Sequence, residues 1–346
     1  MPFTDQQFQT LAWIGRVSSF LSVIGVLSTF SFFYKNPKSA RNPTARLIIF
    51  MAVGDLMSAV AKSMGRWPVS LGTDQPLCQF QAVLMQEGDL SSLTWTAILA
   101  ANLLYVMFFR GRTTTLRRYE VPLAAFAFGW PLIIALLPLG LPSPYGRIYG
   151  DTTLWCWITS NYKPYELGFF YMILWTIVLF QIGAYALAGR YIWNTSKALE
   201  TMNANTSSVN KYRMIFIRTA ACYLTASIVV WLPSSINRVY RMSTGETSFG
   251  LSTAQTVMSP LRGFVNFLAY FLIYRLSQKK KGASYSPEIS TDQRQRSRSA
   301  AMKSPSYKDN GITSIELALS RGHVAPSDLA EIHAENSSQT LMVERA

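Results

Sequence analysis

Charged side chains within or beside long apolar segments are the residues of this sequence with the clearest capacity for chemistry. Six are cations: Arg16, Lys62, Arg66, Arg238, Arg241 and Arg262. Glu87 and Asp89 are available to pair with some of them. Surplus positive charge in a medium of low dielectric constant suits an anionic or phosphate-bearing ligand. The alternative is that the side chains extend to lipid headgroups, the favoured interpretation for Lys62, Arg66 and Arg241.

Catalytic and metal-binding patterns are missing from the sequence. Its two histidines are His323 and His333, and no H-E-x-x-H, G-x-S-x-G or P-loop pattern occurs. Three cysteines without a C-x-x-C pair indicate neither a zinc site nor a disulfide scaffold. The last apolar segment has no lysine that could form a retinal Schiff base. We therefore expect no enzymatic activity and no bound metal or cofactor.

The apolar segments that position the charged residues are long enough to cross a membrane. Hydrophobic residues make up 49% of the 346 residues and charged residues 14%, where about 25% is usual for a soluble domain. A membrane-spanning helix needs about 20 apolar residues. Seven segments qualify: Ala12–Tyr34, Thr44–Met64, Leu77–Phe109, Val121–Leu141, Glu166–Ala188, Met214–Leu232 and Leu251–Tyr274. The predicted fold is an all-α membrane protein, a seven-transmembrane helix bundle.

The distribution of Lys and Arg predicts the orientation of the bundle. Sixteen of these residues lie in one set of loops and just after the last span, against five in the opposite loops. Because cytoplasmic loops are enriched in Lys and Arg, the N-terminus is predicted outside and the C-terminus in the cytoplasm. The net charge of +14 is therefore a topology signal. It indicates contact with membrane lipid and gives no reason to expect nucleic acid.

The composition changes near Gly282. Residues 283–346 are rich in Ser, Arg and Gln, which predicts a disordered cytoplasmic tail after a membrane domain of residues 1–282. The basic residues 275–281 favour a short helix along the inner leaflet. Ser286-Pro287, Ser304-Pro305 and Arg294–Ser299 are candidate kinase sites, so tail kinases are candidate partners. The alternative is a solvated tail that merely contains serines.

Two of the three cysteines are predicted to face outside. Cys78 precedes the third segment, and Cys156 lies in the loop after the fourth. An oxidising compartment favours a disulfide between them, which would hold the longest outer loop at the mouth of the third span. The alternative is two unrelated thiols. Cys222 lies within the sixth segment, where a small apolar packing residue is the favoured interpretation.

Asp55 stands in the middle of the second segment. A carboxylate inside the membrane is costly, so it should face the bundle interior and have a partner, for which Asn102 and Asn266 are candidates. It forms either a polar hub that rearranges between states or a static interhelical hydrogen bond. In the sixth segment, Trp231 lies beside a bend predicted at Pro233, facing either a cavity or the interfacial belt.

Several motifs resemble those of known receptors. Seven spans, an outside N-terminus, paired outer cysteines and a basic cytoplasmic face resemble a G-protein-coupled receptor. The finer resemblance is to the cyclic AMP receptor-like family of slime moulds and fungi, over about residues 10–280. It is carried by Trp155–Ile158, Ser91–Trp95, Asn102–Tyr105 and Trp231–Pro233. Asp55 and Asn266–Tyr270 are also similar to rhodopsin-like motifs, but the Asp-Arg-Tyr position falls on Asn102-Leu103-Leu104.

The resemblance implies ligand-driven activation of a heterotrimeric G protein at the plasma membrane. An extracellular ligand is expected in the outer half of the bundle, with candidate binding residues Arg16, Glu87, Asp89, Trp95, Trp231, Arg238 and Arg262. The expected activation network comprises Asp55, Asn102, Pro233, Asn266 and Tyr270. The expected G-protein-facing residues are Arg110, Arg112, Lys211, Arg213 and Arg218.

A secondary transporter of a small solute is the alternative function. Transporters also use bent helices and polar residues at the membrane midplane, but usually carry an internal repeat, which this sequence lacks. A membrane scaffold without signalling is a third interpretation. Ligand-dependent nucleotide exchange on a G protein, solute uptake, or neither would separate the three.

Overall fold

The computed structural model describes residues 3–41, 43–108, 117–201 and 207–283. The chain divides into one unit, Met1–Ser277, and a second, Gln278–Ala346, of which only residues 278–283 are described. The predicted tail after Ala283 lies outside the described residues. Most of the described residues are helical, which confirms the predominantly helical fold.

Helices account for most of the described part of the first unit. Their bounds are α1 (Asp5–Lys35), α2 (Pro37–Ala40), α3 (Pro43–Ser63), α4 (Trp67–Leu71), α5 (Pro76–Phe108), α6 (Glu120–Gly140), α7 (Lys163–Glu166), α8 (Met172–Thr201), α9 (Ser207–Thr244), α10 (Phe249–Met258) and α11 (Arg262–Ala283). A π-helical turn, Leu167–Tyr171, joins α7 to α8. A 3-10 turn, Ser160–Tyr162, precedes α7.

A short antiparallel ribbon interrupts the helices between α6 and α7. Strand β1 (Tyr149–Asp151) pairs with strand β2 (Cys156–Ile158), and all three residues of β2 are buried. The all-α prediction did not include this ribbon. Backbone groups of a buried loop need hydrogen-bond partners, and strand pairing supplies them here.

Specific side chains explain where some of the helices begin or end. Thr4 and Gln7 form a capping box before α1, with Gln7 N–H donating to Thr4 Oγ1 (3.3 Å) and Thr4 N–H donating to Gln7 Oε1 (3.0 Å). Pro260 lies in the break between α10 and α11, where the helix axes bend by 50°. Proline cannot donate the backbone hydrogen bond that a continuous helix requires.

Glycines allow two pairs of helices to approach closely. A Cβ on Gly88 of α5 would lie 2.6 Å from the backbone nitrogen of Ser58 and 2.7 Å from the carbonyl oxygen of Gly54, both on α3. A Cβ on Gly25 of α1 would lie 2.6 Å from the Cα of Phe264 on α11. Small residues at such crossings bring helix backbones together, so side chains beside them are forced into contact.

Three helical stretches of the described part are long and apolar enough to cross a membrane: α1, α6 and residues Ser160–Thr195. The bent pair α10 and α11 makes a fourth if the two form one span. Helices α3, α5 and α9 coincide with the remaining predicted spans. Seven spans, and the orientation of the termini, stay predictions.

Candidate functional site

The loop that carries β1 and β2 is fastened to the start of α5. We call this end of the bundle the outer end, after its predicted orientation. A disulfide joins Cys78 to Cys156, which confirms the predicted pairing. Gln81 Oε1 accepts a hydrogen bond from Cys156 N–H (2.9 Å), and Gln86 Oε1 accepts one from Trp157 Nε1 (2.7 Å). One covalent and two polar contacts therefore hold β2 against α5.

Four buried charged side chains form a connected set that we call the central network: Asp55, Lys62, Asp89 and Arg262. Lys62 Nζ lies 2.9 Å from both carboxylate oxygens of Asp89. Arg262 Nε lies 2.6 Å from Asp55 Oδ1, and Arg262 Nη2 lies 3.0 Å from Asp89 Oδ1. The exposed fraction of Asp55 and Lys62 is 2%, that of Asp89 is 4% and that of Arg262 is 6%. Two positive and two negative charges thus balance one another.

Neutral groups complete the hydrogen bonding of the two carboxylates. Ser92 Oγ donates to Asp55 Oδ1 (2.6 Å), and Asn266 Nδ2 donates to Asp55 Oδ2 (2.8 Å). Ser58 Oγ donates to Asp89 Oδ1 (2.5 Å). Together with the ion pairs, these bonds join α3, α5 and α11.

Burial makes the central network sensitive to the loss of any one member. Taking a charge out of water costs several kcal/mol, a cost that is offset only when pairing is close and the remaining lone pairs are bonded. The distances in the central network meet both conditions. Removing one partner of a buried pair typically costs about 3–5 kcal/mol, so the positions of the three helices depend strongly on one another.

Trp231 of α9 covers both cations of the central network. Its ring centre lies 5.7 Å from Lys62 Nζ and 5.2 Å from the guanidinium carbon of Arg262, within the range of cation–π contacts. Only 2% of Trp231 is exposed, so the alternative that places it in the interfacial belt is wrong. The ring also lines a cavity of about 20 Å³, the central cavity, together with Lys62 and Asp89. That volume holds about one water molecule.

A larger cavity of about 230 Å³, which we call the outer vestibule, lies at the outer end of α9. Its charged lining residues are Lys163, Glu166, Arg238 and Arg241. Glu166 Oε1 lies 2.6 Å from Arg238 Nη2, and both side chains are buried. The Arg238 guanidinium lies 5.5 Å from the ring centre of Trp157, a residue that lines the central cavity. Arg238 therefore contacts the walls of both cavities.

The structure brings together some of the residues predicted to bind ligand. Asp89, Trp231 and Arg262 meet at the central network. Arg238 lies in the outer vestibule. These four positions are consistent with a binding region at the outer end of the bundle, which stays a prediction.

The other three predicted ligand-binding residues lie elsewhere. Trp95 stacks on Phe50 with 5.1 Å between ring centres, in a separate apolar cluster. The Arg16 guanidinium lies 5.6 Å from the ring centre of Trp13 on its own helix. Glu87 is buried on α5, and its Oε2 has no hydrogen-bond partner among the described residues. None of these contacts reaches the central network.

The predicted activation residues are also divided. Asp55 and Asn266 are bonded to each other in the central network. Asn102, the other predicted partner of Asp55, lies ten residues beyond Ser92 on α5, about 15 Å along the helix. Pro233 lies inside α9.

Tyr270 belongs to the separate apolar cluster, 5.1 Å from the ring centre of Phe33. The structure describes the predicted G-protein-facing residues only in part. Arg110 and Arg112 lie outside the described residues. The other three lie on α9, but their side chains are outside the described part: Lys211, Arg213 and Arg218.

Lys62 is the main site residue that sequence reasoning missed. The favoured prediction that it extends to lipid headgroups is wrong, because its ammonium group is buried against Asp89. The spacing of Lys62 from Asp55 and Ser58 could have indicated that Lys62 faces the bundle interior. Positions i, i+3 and i+7 lie on one face of a helix, so these three residues of α3 share the face toward α5.

Comparisons with known proteins place the chain in a family. Residues 3–279 match the family described as slime mold cyclic AMP receptor. Cyclic AMP receptor-like protein A of Dictyostelium discoideum is 27% identical over 272 residues, which are 78% of this chain and 66%, just under two thirds, of the relative. Cyclic AMP receptor 2 of the same organism is 22% identical over 348 residues, 94% of this chain and 86% of the relative.

A mammalian receptor shows a shorter similarity. Adhesion G-protein coupled receptor G5 of Mus musculus is 27% identical over 158 residues, which are 46% of this chain and 28% of the relative. The family match includes the disulfide, the central network and the outer vestibule. This multi-pass membrane protein belongs to the slime mold cyclic AMP receptor family.

Proposed function

We propose that the chain is a seven-span plasma-membrane receptor, with its N-terminus outside and its C-terminus in the cytoplasm, that binds a small extracellular ligand and activates a heterotrimeric G protein. Membership of a receptor family favours a non-enzymatic role. The similarity to an adhesion G-protein-coupled receptor supports coupling to a G protein. Cyclic AMP is the first ligand to test, because relatives carry its name.

The observation that carries the proposal is the contact of Trp231 with the central network. Trp231 lies two residues before Pro233, which removes a backbone hydrogen bond and makes α9 easier to bend there. The same ring covers Lys62 and Arg262. A ligand that displaces Trp231 therefore acts both on α9 and on the three helices that the central network joins.

The central cavity is small, so a ligand can bind there only if the surrounding elements move apart. A small-molecule ligand exceeds a volume of about 20 Å³, so binding there requires a wider arrangement of α9 and the β2 loop. A ligand shifts such an equilibrium only by its difference in affinity for the two arrangements. Movement of α9 would carry the basic segment around Lys211 with it, at the end that we propose meets the G protein.

Nucleotide exchange tests the proposal directly. The full chain is reconstituted in nanodiscs with a heterotrimeric G protein, and GTP-analogue binding is measured with cyclic AMP and then with other small anions. We expect ligand-dependent exchange that Trp231→Ala reduces roughly tenfold, the cost of about 1.4 kcal/mol in coupling. Trp67→Ala, which removes an exposed ring on α4, is the matched control and should change exchange little.

A negative result has a clear meaning. If the folded parent chain stimulates no exchange with any ligand of the panel, the receptor proposal fails. Uptake of a solute into proteoliposomes that contain only this chain would instead support the transporter alternative.

A further inference from the structure

The outer vestibule has an excess of positive charge. Its charged lining consists of three basic residues and one carboxylate, Glu166. Glu166 is already paired with Arg238 at 2.6 Å. Lys163, exposed at the rim, and Arg241, half-buried, therefore contribute two positive charges that the described lining residues do not balance.

Two further carboxylates, Asp151 and Glu246, lie near the outer vestibule but are not among its lining residues. Asp151 attracts Arg241, but both oxygens of Asp151 are hydrogen-bonded to Arg66 at 2.9 Å. Glu246, next to the lining residue Gly245, is exposed. Burial, and then the neighbouring Arg238, lower the pKa of Arg241, while Glu166 and Asp151 act in the opposite direction.

Arg238 retains donor capacity after it has paired with Glu166. The ion pair uses Arg238 Nη2, and Arg238 Nε has no hydrogen-bond partner in the described part of the chain. A guanidinium group has five N–H donors arranged to match phosphate and carboxylate oxygens. The cavity volume of about 230 Å³ is many times the roughly 10–15 Å³ that is enough to hold one water molecule.

We propose that the outer vestibule binds a phosphate-type oxyanion through Arg238 and Arg241, with Lys163 at its rim. A soluble phosphate-bearing molecule and an anionic lipid headgroup offer the same chemistry. The site is separate from the central cavity, and its occupancy does not depend on coupling to a G protein. Because Arg238 also contacts Trp157, a bound anion would act on a residue that lines the central cavity.

Binding of inorganic pyrophosphate tests the site without any G protein. The full chain is placed in phosphatidylcholine nanodiscs, and binding of radiolabelled pyrophosphate is compared among the parent, Arg241→Gln, Lys163→Gln and Arg147→Gln. Arg147 pairs with Asp74 outside the vestibule, so its substitution removes the same charge elsewhere at the outer end. We expect losses in affinity of roughly tenfold for R241Q, about threefold for K163Q and less than about twofold for R147Q.

A second set of nanodiscs distinguishes the two sources of the oxyanion. If a lipid headgroup is the occupant, added phosphatidylglycerol competes with pyrophosphate, and native mass spectrometry finds it retained by the parent and lost from R241Q. If a soluble molecule is the occupant, phosphatidylglycerol leaves pyrophosphate binding unchanged.

Equal binding of both probes by the parent, R241Q and K163Q overturns the proposal. Lys163 is exposed, so K163Q keeps the test valid even if R241Q does not fold. Failure of this site leaves nucleotide exchange untouched, and absence of exchange leaves pyrophosphate binding untouched, so the two proposals are tested independently.

Discussion

The central network and the outer vestibule both contain buried ionic side chains, but they differ in charge balance. The central network contains two cations and two carboxylates, and serine and asparagine donors complete the bonding of its carboxylates. The outer vestibule pairs only one of its three cations with a lining carboxylate and keeps open volume beside them. A balanced set fixes helices in position, whereas an unbalanced set with open volume has capacity for a ligand.

The difference predicts that the two regions respond differently to loss of a charge. In the central network, each substitution leaves a buried charge without its partner. In the outer vestibule, loss of a surplus cation leaves no such charge. Substitutions in the central network should therefore mainly lower stability, whereas loss of a surplus cation in the outer vestibule should mainly weaken anion binding.

The largest expected effect is that of Asp89→Asn. Asp89 pairs with both Lys62 and Arg262, so its neutralisation leaves two buried cations with Asp55 alone. We expect the free energy of unfolding to fall by about 3–5 kcal/mol, measured by equilibrium unfolding in mixed micelles. The double variant Lys62→Met with Asp89→Leu removes an acid and a base together and should lie within about 2 kcal/mol of the parent.

An exposed pair supplies the control for this prediction. Arg147 and Asp74 are 2.9 Å apart, with 54% and 79% of their side chains exposed. Because solvent screens such pairs, Asp74→Asn should cost less than about 1 kcal/mol. Equal losses for D89N and D74N would show that the central network contributes no special constraint.

The sequence indicated three of the four ionic residues of the central network, Asp55, Asp89 and Arg262, but not how they pair. An aspartate inside a membrane segment must have a partner, and Asn266 was predicted correctly as one. The ion pair of Asp55 with Arg262 spans 207 residues, and it depends on how α3 and α11 are rotated about their axes. Rotation is determined by packing, including the approach of Gly25 to Phe264, which no local pattern reveals.

The outer end of the bundle shows the same limit. The predicted extracellular location of Cys78 and Cys156 was sufficient to predict the disulfide between them. The ribbon of β1 and β2 is too short to produce a clear alternating pattern, and it was not predicted. The outer vestibule brings together residues from α7 and α9 that are about 75 positions apart, so its volume and charge balance appear only in the folded chain.

The next largest effect is expected for Glu166→Gln. This change leaves Arg238 buried without its counter-charge, and we expect a loss of about 2–3 kcal/mol, because the open vestibule lets water solvate part of the guanidinium group. It also raises the positive excess, so pyrophosphate should stabilise E166Q more than it stabilises the parent. Equilibrium unfolding without pyrophosphate measures the loss of stability. Unfolding with pyrophosphate measures how much the anion stabilises each protein. A stability loss that pyrophosphate does not reduce would count against an anion site.

A smaller effect is expected for Gly88→Ala, which tests the helix contact on which the central network depends. The added Cβ would meet the backbone of α3 at 2.6 Å and 2.7 Å, and overpacking of this kind costs about 1–3 kcal/mol. Gly129→Ala on α6 is the matched control, because its Cβ meets no atom within 4 Å among the described residues. Helix propensity should leave G129A neutral or more stable by up to about 1 kcal/mol. A parent-like unfolding curve for G88A would contradict the close approach of α3 and α5.

The smallest effect on stability is expected for Arg241→Gln, and it separates the two regions most sharply. The substitution relieves repulsion from Arg238 but loses attraction to Glu166 and Asp151, so the two contributions oppose each other and the net change should stay within about 0.5 kcal/mol. Pyrophosphate at one hundred times the parent Kd should stabilise the parent by about 2.7 kcal/mol. A tenfold weaker site should gain only about 1.4 kcal/mol at the same concentration. If R241Q instead unfolds several kcal/mol more easily, and pyrophosphate stabilises both proteins equally, the outer vestibule is a structural ionic cluster like the central network.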